Sequence, residues 1–364
     1  MFYRKKSSVF IVLMLNVFLL ITMIGCDLNT RDPKVEPDQA SQWLKGIVSD
    51  LKPQKRIVLG YYENPWKGAS DVTGSYPSLK SFSSSLSAVG PFWYKIAKDG
   101  SIETKESKAA YDTMHELGLK VYPLVTNKSE ATDSILGDEN IRTIATDNIV
   151  KVVKDNGYDG INVDFELLDP IHRKDLTAFM EELYPKLKAI NKTVIISVFP
   201  QVEVHESVSG AYDYPQLANC TDYIQIMTYD KHWSTSEPGA IAPIDWYEKN
   251  IQYAIDKCGG ANKVLVGVGA YGYDWDSNKN GETITYGSAM ALAEKKGAQV
   301  KYDETVEAPY FKYDDHEVWF ENARSTAAKL KVIAKYNPAG IAIWRLGQEQ
   351  PEMWKEIDQT FPKM

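Results

Sequence analysis

Asp159-Gly160-Ile161-Asn162-Val163-Asp164-Phe165-Glu166 is the stretch that decides how this 364-residue chain is read. Ile161, Val163 and Phe165 alternate with Asn162, Asp164 and Glu166, the period-two pattern of a strand with one apolar and one polar face. Leu167-Leu168-Asp169-Pro170 closes the run, and a helical pattern follows. Strand then helix is the βα unit of a parallel sheet, whose strands are covered on both sides. Acids on the inner face of such a sheet are costly unless they have a task. Asp164 and Glu166 are two apart, which puts their Cβ atoms roughly 6–7 Å apart on one face. At that separation two carboxylates raise each other's proton affinity, and one stays protonated near neutral pH, as an acid catalyst requires. The bland alternative is a buried structural acid pair.

Working outward, similar β-rich segments recur with helical patterns between them. They are Arg56–Glu63, Leu86–Ile96, Lys120–Asn127, Gly160–Glu166, Thr193–Pro200, Tyr223–Asp230, Lys263–Tyr271 and Gly340–Gly347. Helices are expected at about Lys108–Leu117, Glu139–Lys154, Lys174–Ile190 and Trp246–Cys258, with a closing helix over Pro351–Phe361. Eight such strands predict an α/β fold, a (β/α)8 TIM barrel over residues 55–364. An open doubly wound sheet is the less economical alternative. The connection after the seventh strand is too long for a simple βα unit. Its pattern gives a helix near Ser288–Lys296, strand-like Gln299–Asp303 and Ala308–Tyr313, then a barrel helix over Glu317–Tyr336. The first part, about residues 274–316, reads as a small α+β insertion between strand 7 and helix 7 that walls one side of the cleft.

Barrel enzymes place their chemistry at the carboxyl ends of the strands. There the sequence puts Tyr61, Tyr62 and Glu63, then Trp93 and Tyr94, then Asp164 and Glu166. Gln225, Met227 and Tyr229 share one face of the sixth strand, and Trp344 ends the eighth. Glu63, Trp66, Trp246 and Trp275 read as core or loop anchors, whereas Trp93 and Trp233, near strand ends, are the candidates for stacking on a sugar ring. Tyr at 22 and Trp at 9 suit both a large core and such a groove.

The net charge of −8 and the lack of a basic patch argue against a nucleic-acid partner. Arg4, Lys5 and Lys6 followed by an apolar run from about Val9 to Ile24 predict an export signal. It ends in Met23-Ile24-Gly25-Cys26, which resembles a bacterial lipobox, with Met23 where Leu is usual. Lipidation of Cys26 would anchor the chain to the outer face of the cell membrane. A retained membrane span and plain secretion are the alternatives. Residues 27–54 read as a solvated tether with a short helix over Trp43–Leu51. Cys220 and Cys258 fall at the same end of one βα unit, so a bridge and two buried free thiols are both compatible with the pattern.

With these residues in place, the chain resembles glycoside hydrolase family 18, whose fourth-strand motif is Asp-x-x-Asp-x-Asp-x-Glu. Here it reads Asp159, Asn162, Asp164, Glu166. Met227-Thr228-Tyr229-Asp230 is similar to the family's sixth-strand motif, and Trp344 matches the tryptophan that floors its cleft. His316-Glu317-Val318-Trp319-Phe320 and Trp344-Arg345-Leu346-Gly347 resemble the bacterial branch linked to spore-cortex and cell-wall hydrolysis. The resemblance implies substrate-assisted, retaining hydrolysis next to an N-acetylhexosamine. Glu166 would be the acid and then the base, Asp164 would hold the acetamido N–H, and Tyr229 would steady the acetamido oxygen. Trp344, Met227, Gln225, Asn162, Tyr61, Trp93, Asp230 and Trp233 would bind the substrate. No metal or organic cofactor is needed, and a monomer acting on peptidoglycan or chitin is expected. Asn162 departs from the motif's Asp: it cannot share a proton, which leaves Asp164 expected to be more readily charged. The rivals are a chitinase or endo-acting deglycosidase on other glycans, and a carbohydrate-binding barrel without catalysis.

Two other motifs are set aside. Gly267-Val268-Gly269-Ala270-Tyr271-Gly272 has the spacing of a dinucleotide fingerprint, but no helix start follows it, so close packing explains it better. Asp276-x-Asn278-x-Asn280-Gly281 mimics the start of a calcium loop, but its twelfth position is Gly287 rather than Glu, which leaves a polar turn. The five histidines lack metal-site spacing.

Overall fold

Ile161 and Val163 turn outward into the layer beneath the helices, while Asn162 and Asp164 turn inward, as the alternation requires. The computed structural model describes residues 56–64, 74–278 and 280–361. The export signal, Cys26, the tether expected over residues 27–54 and Trp66 lie outside the described residues. In chain order the strands are β1 Ile57–Tyr62, β2 Ala88–Ile96, β3 Ile102–Thr104, β4 Lys120–Val121, β5 Leu124–Asn127, β6 Gly160–Asp164, β7 Thr193–Val198, β8 Tyr223–Ile226 and β9 Val264–Gly269. Then come β10 Tyr271–Trp275, β11 Gly281–Thr285, β12 Lys301–Asp303, β13 Ala308–Tyr313, β14 His316–Phe320 and β15 Gly340–Trp344.

The order β1-β15-β9-β8-β7-β6-β5-β2 is parallel throughout, and pairing of β1 with β2 closes it into the expected (β/α)8 barrel. β4 and β5 are two pieces of the expected third strand, parted at Tyr122-Pro123. The proline has no N–H to offer, but its carbonyl still accepts from Asn162 N at 2.9 Å. β3 is an addition that the sequence did not announce, folding back antiparallel on β2.

The barrel's interior is a packed layer of Leu59, Tyr61, Ala88, Leu124, Ile195, Leu265 and Ala342, closed toward the mouth by Phe92 and Trp344. The outer layer is built by helices that bury one stripe each. Helix Glu139–Asp155 starts where Asp138 accepts from the backbone N–H of Asn140 and Ile141, and buries Ala145, Ile149 and Val153. Helix Arg173–Lys188 buries Leu176, Phe179, Met180, Leu183 and Leu187, with Phe179 seated 5.0 Å from Phe165, the last outward residue of the acidic motif.

The insertion is present and wider than expected. β11-β10-β14-β13-β12 form a second, antiparallel sheet, backed by helix Tyr286–Lys296. Its inner strands take in Tyr271–Trp275 and His316–Phe320, which corrects the helix expected from Glu317. Residues 316–320 alternate instead, with Val318 and Phe320 packed in the small core of the insertion. The helix begins only after Asn322, whose side chain accepts from Ser325 N while the Ser325 hydroxyl accepts from Asn322 N, and it runs Ala323–Tyr336. Between this helix and the barrel, Lys329 Nζ bonds Glu321 Oε2 at 2.8 Å with both side chains buried. Cys220 and Cys258 are buried free thiols, so no bridge joins them.

Candidate active site

β6 ends at Asp164, whose inward side chain is 5% exposed. Burial pushes its carboxyl up to about 7, and a hydrogen bond from the Ser197 hydroxyl pulls the other way. Behind it, Asn162 Oδ1 accepts from Tyr61 OH at 2.8 Å and Nδ2 donates to Ser197 Oγ at 2.9 Å. Tyr61, Asn162 and Ser197 thus each donate to the next group, ending on Asp164, and none of them needs to ionise. Burial alone raises Asp164, and the uncharged Asn162 adds no charge repulsion to that rise. Asp159, the first acid of the motif, faces the opposite end of the strand, where it pairs with Lys120 Nζ at 2.6 Å and accepts from Val121 N.

Glu166 lies two residues beyond the end of the strand, and its position is fixed by groups from elsewhere. Asn127, the last residue of β5, accepts from Glu166 N at 2.9 Å and donates to Glu166 O at 3.1 Å. Tyr212 OH donates to Phe165 O at 2.7 Å. Leu167, which follows, adopts the left-handed region at φ 54°. The Glu166 carboxyl is raised to about 8, first by burial, then by Asp164, then by Asp230. A carboxyl so raised holds its proton at neutral pH, the state a general acid needs.

Tyr229 and Asp230 lie on the loop after β8. Burial keeps the Tyr229 phenol protonated, so it is a hydrogen-bond donor. Its ring has room because a Cβ on Gly267 would stand only 2.8 Å from Tyr229 Cε1, which accounts for the first glycine of the fingerprint-like run. Asp230, at φ 58°, accepts from Tyr271 OH at 2.5 Å and Tyr273 OH at 3.1 Å, both from the first strand of the insertion. Trp344 ends β15, with a cis peptide bond to Arg345, and is half-buried against Tyr61 (5.4 Å between ring centres) and the edge of Phe92 (6.5 Å).

These groups line one cleft at the mouth of the barrel, open to solvent. Its walls hold eight of the expected residues: Tyr61, Asp164, Glu166, Gln225, Met227, Tyr229, Asp230 and Trp344. Gln225 Nε2 donates to Ile226 O, while its buried Oε1 has no donor among the described residues. Asn162 lies one layer behind the wall.

Trp93 is a correction. It is 1% exposed, turned outward against Tyr158, with Nε1 donating to Asn64. The register of β2 against β5 shifts between Phe92 and Tyr94, and Phe92 takes the place at the mouth expected for Trp93. Trp233 is 45% exposed on the loop beyond Asp230, outside the pocket wall. Ser197, Asn127, Tyr212 and Phe92 were missed by sequence reasoning; only Ser197, the lone hydroxyl inside Val194–Val198, carried a local signal. Of the residues set aside, Asp276 Oδ1 accepts from Asn278 N and Asn280 N, the polar turn expected. Glu63 pairs with Arg345 at 2.9 Å.

The site can be set beside known proteins. The family model for glycosyl hydrolases family 18 matches residues 94–349. The chain is 26% identical to a cortical fragment-lytic enzyme of Bacillus subtilis over 327 residues, 85% of this chain and 75% of that protein. A crystal structure of a chitinase from Chromobacterium violaceum superposes with TM-score 0.76 at 29% identity, covering 85% of this chain and all of that one. The Bacillus megaterium spore cortex-lytic enzyme SleL does so with TM-score 0.75 at 26% identity, covering 86% of this chain and 76% of its own. A closed barrel, paired acids at its mouth and a family match over more than two thirds of the sequence lead to one conclusion: this chain belongs to glycosyl hydrolases family 18 and is a glycoside hydrolase.

Proposed function

We propose that this enzyme cleaves the glycosidic bond next to N-acetylglucosamine with retention, using the substrate's own acetamido group, and that its polymer is peptidoglycan or spore cortex. The observation that carries the mechanism is the raised proton affinity of Glu166 beside Asp164 in a pocket walled by Tyr229 and Trp344. Protonated Glu166 donates to the glycosidic oxygen as the bond from that oxygen to the anomeric carbon breaks. The acetamido oxygen attacks the anomeric carbon and closes an oxazolinium ring. Asp164, as carboxylate, accepts the acetamido N–H and balances the positive charge, while Tyr229 OH donates to the acetamido oxygen and orients it. Glu166, now ionised, takes a proton from water as that water opens the ring. Trp344 lies under the sugar.

The polymer is supported by likeness to the cortical fragment-lytic and cortex-lytic enzymes. Likeness to a chitinase keeps chitin as the second reading. A binding protein without catalysis is disfavoured, because Glu166 has the raised proton affinity that acid catalysis uses and Asp164 stands beside it in the same pocket. Lipidation at Cys26 would hold the enzyme at the outer face of the membrane, within reach of the wall. The test compares peptidoglycan, cortex fragments and chitin oligomers on wild type and Glu166→Gln. Wall fragments cut by the wild type alone are expected. Equal activity of the two proteins would remove Glu166 from its role, and turnover of chitin alone would move the enzyme to the second reading. Incorporation of labelled palmitate, abolished in Cys26→Ser, tests the anchor.

A further inference from the structure

Glu166 opens a loop that has little packing of its own. Between it and His172, Leu167 and Ile171 are exposed and only Leu168 is fully buried. The loop is fastened at its two ends, and both fastenings reach the same short helix, Thr132–Gly137. At the front, the Asn127 amide that donates to Glu166 O also donates to Thr132 Oγ1 at 2.8 Å. At the rear, the buried His172 ring stands between two carboxylates. Its Nε2 lies 2.9 Å from Asp133 Oδ1, on the first turn of that short helix. Its Nδ1 lies 3.1 Å from Asp175 Oδ2, on helix Arg173–Lys188. An ionised carboxylate only accepts hydrogen bonds, and a neutral imidazole donates from one nitrogen alone. The two bonds together therefore require the imidazolium. Of the other charged groups on the elements packed against the ring, Arg173 is taken up by Asp213 at 3.0 Å and Asp169 accepts from Ile171 N. Lys174 and Glu206 are exposed. Burial pulls the proton affinity of the ring down, but the hydrogen bonds to Asp133 and Asp175 and their charges outweigh it and leave it above the ordinary 6.5.

We infer that His172 is a positioning residue for the acid: by bridging Asp133 and Asp175 it pins the rear of the Glu166 loop to the short helix, and so holds the Glu166 carboxyl where the glycosidic oxygen arrives. This rests on the reading of Glu166 as the acid, and it adds to the reaction a second proton that never reaches the substrate. The bridge is complete below 6.5 and is lost as pH rises through the higher value of the folded ring. Once the ring is neutral, one nitrogen turns a lone pair toward a carboxylate. Asp133, whose side chain is 94% exposed, is the partner released to water. With its loop freed at the rear, Glu166 reaches the reacting geometry less often, which lowers kcat and leaves KM nearly unchanged.

The experiment follows kcat and KM against pH for wild type, Asp133→Asn and His172→Gln, on whichever of the wall fragments and chitin oligomers the wild type cleaves. Asp133→Asn is an exposed change that leaves the core intact. Asn accepts from the imidazolium and donates to the neutral ring, so this variant keeps its bridge at every pH. The ratio of its kcat to that of the wild type cancels the emptying of Glu166, which both proteins share. It should be about one at the acidic end and rise to about fivefold across the titration of His172, which the imidazole signals in NMR locate without substrate. His172→Gln donates to one carboxylate only, and its kcat at the acidic end should be about fivefold to tenfold below wild type with KM little changed. A ratio that stays flat with pH, a His172→Gln protein with wild-type kcat, or a His172 midpoint below 6.5 overturns the inference and leaves the role of Glu166 standing. Turnover by Glu166→Gln equal to wild type overturns that role, and this inference with it.

Discussion

Replacing Glu166 by Gln should make the protein inactive and, above mid-range pH, more stable. The folded protein holds the Glu166 proton up to about 8, against an ordinary 4.5 for the unfolded chain. Between those values the folded state binds more protons than the unfolded one, so stability contributed by this group is complete below 4.5 and is lost as pH rises through about 8. Gln keeps the shape and removes the titration. Each tenfold in proton affinity is about 1.4 kcal/mol, which caps the gain near ~5 kcal/mol. The Glu166 carboxyl is partly open to the cleft and titrates together with Asp164, so about half, ~2 kcal/mol, is the working figure. For a domain of this size that corresponds to an increase in Tm of about 3–6 °C. The assay is thermal unfolding of both proteins across the pH range. The difference should be near zero at pH 4.5, grow with pH and level off above about 8. A difference that does not change with pH, or a variant less stable than wild type at the alkaline end, would refute the account of Glu166 as a carboxyl held protonated against its own solvation. The same proton sets the activity: kcat/KM of the wild type should fall as pH rises through about 8, as the acid empties.

Asn127→Ala removes both hydrogen bonds to the Glu166 backbone, and single-turnover assays should show kcat lowered about tenfold to a hundredfold with KM little changed. Asn127→Asp, which keeps the acceptor for Glu166 N, should recover part of the loss. Trp344→Ala should raise KM and lower kcat together, because the ring both floors the pocket and holds Tyr61 and Phe92 in place; steady-state kinetics on a GlcNAc oligomer reads it. At the buried pair, Lys329→Met alone should cost about 3–5 kcal/mol by leaving Glu321 uncompensated, while Lys329→Met with Glu321→Leu should recover most of it in denaturant unfolding.

The eight strands and the acid pair were legible because each rests on a local alternation, and a period of two survives whatever the strand pairs with. Where alternation is interrupted, sequence alone misplaces side chains. The shift between Phe92 and Tyr94 breaks the alternation of β2 near its end, and no sequence pattern shows that Phe92 rather than Trp93 faces the mouth. His316–Phe320 is short, apolar and followed closely by a helix, so its pattern merges with that helix, and only the cap at Asn322 parts the two. Asn127 and Tyr212 are ordinary polar residues in sequence, and their contacts with Glu166 and Phe165 span 39 and 47 positions. Only the closed ring brings them to the acid. Asn162 shows the same limit: its missing charge was visible, but the burial that raises Asp164 regardless was not.

Tyr271 and Tyr273 belong to the inserted sheet, and they fix Asp230, whose negative charge helps Glu166 keep its proton. The accessory sheet and the acid are therefore a single electrostatic device, although they are separate pieces of architecture. Anyone grafting a different insertion onto this barrel to redirect it toward another polymer would also retune the pH at which it works, unless the two phenols travel with the graft.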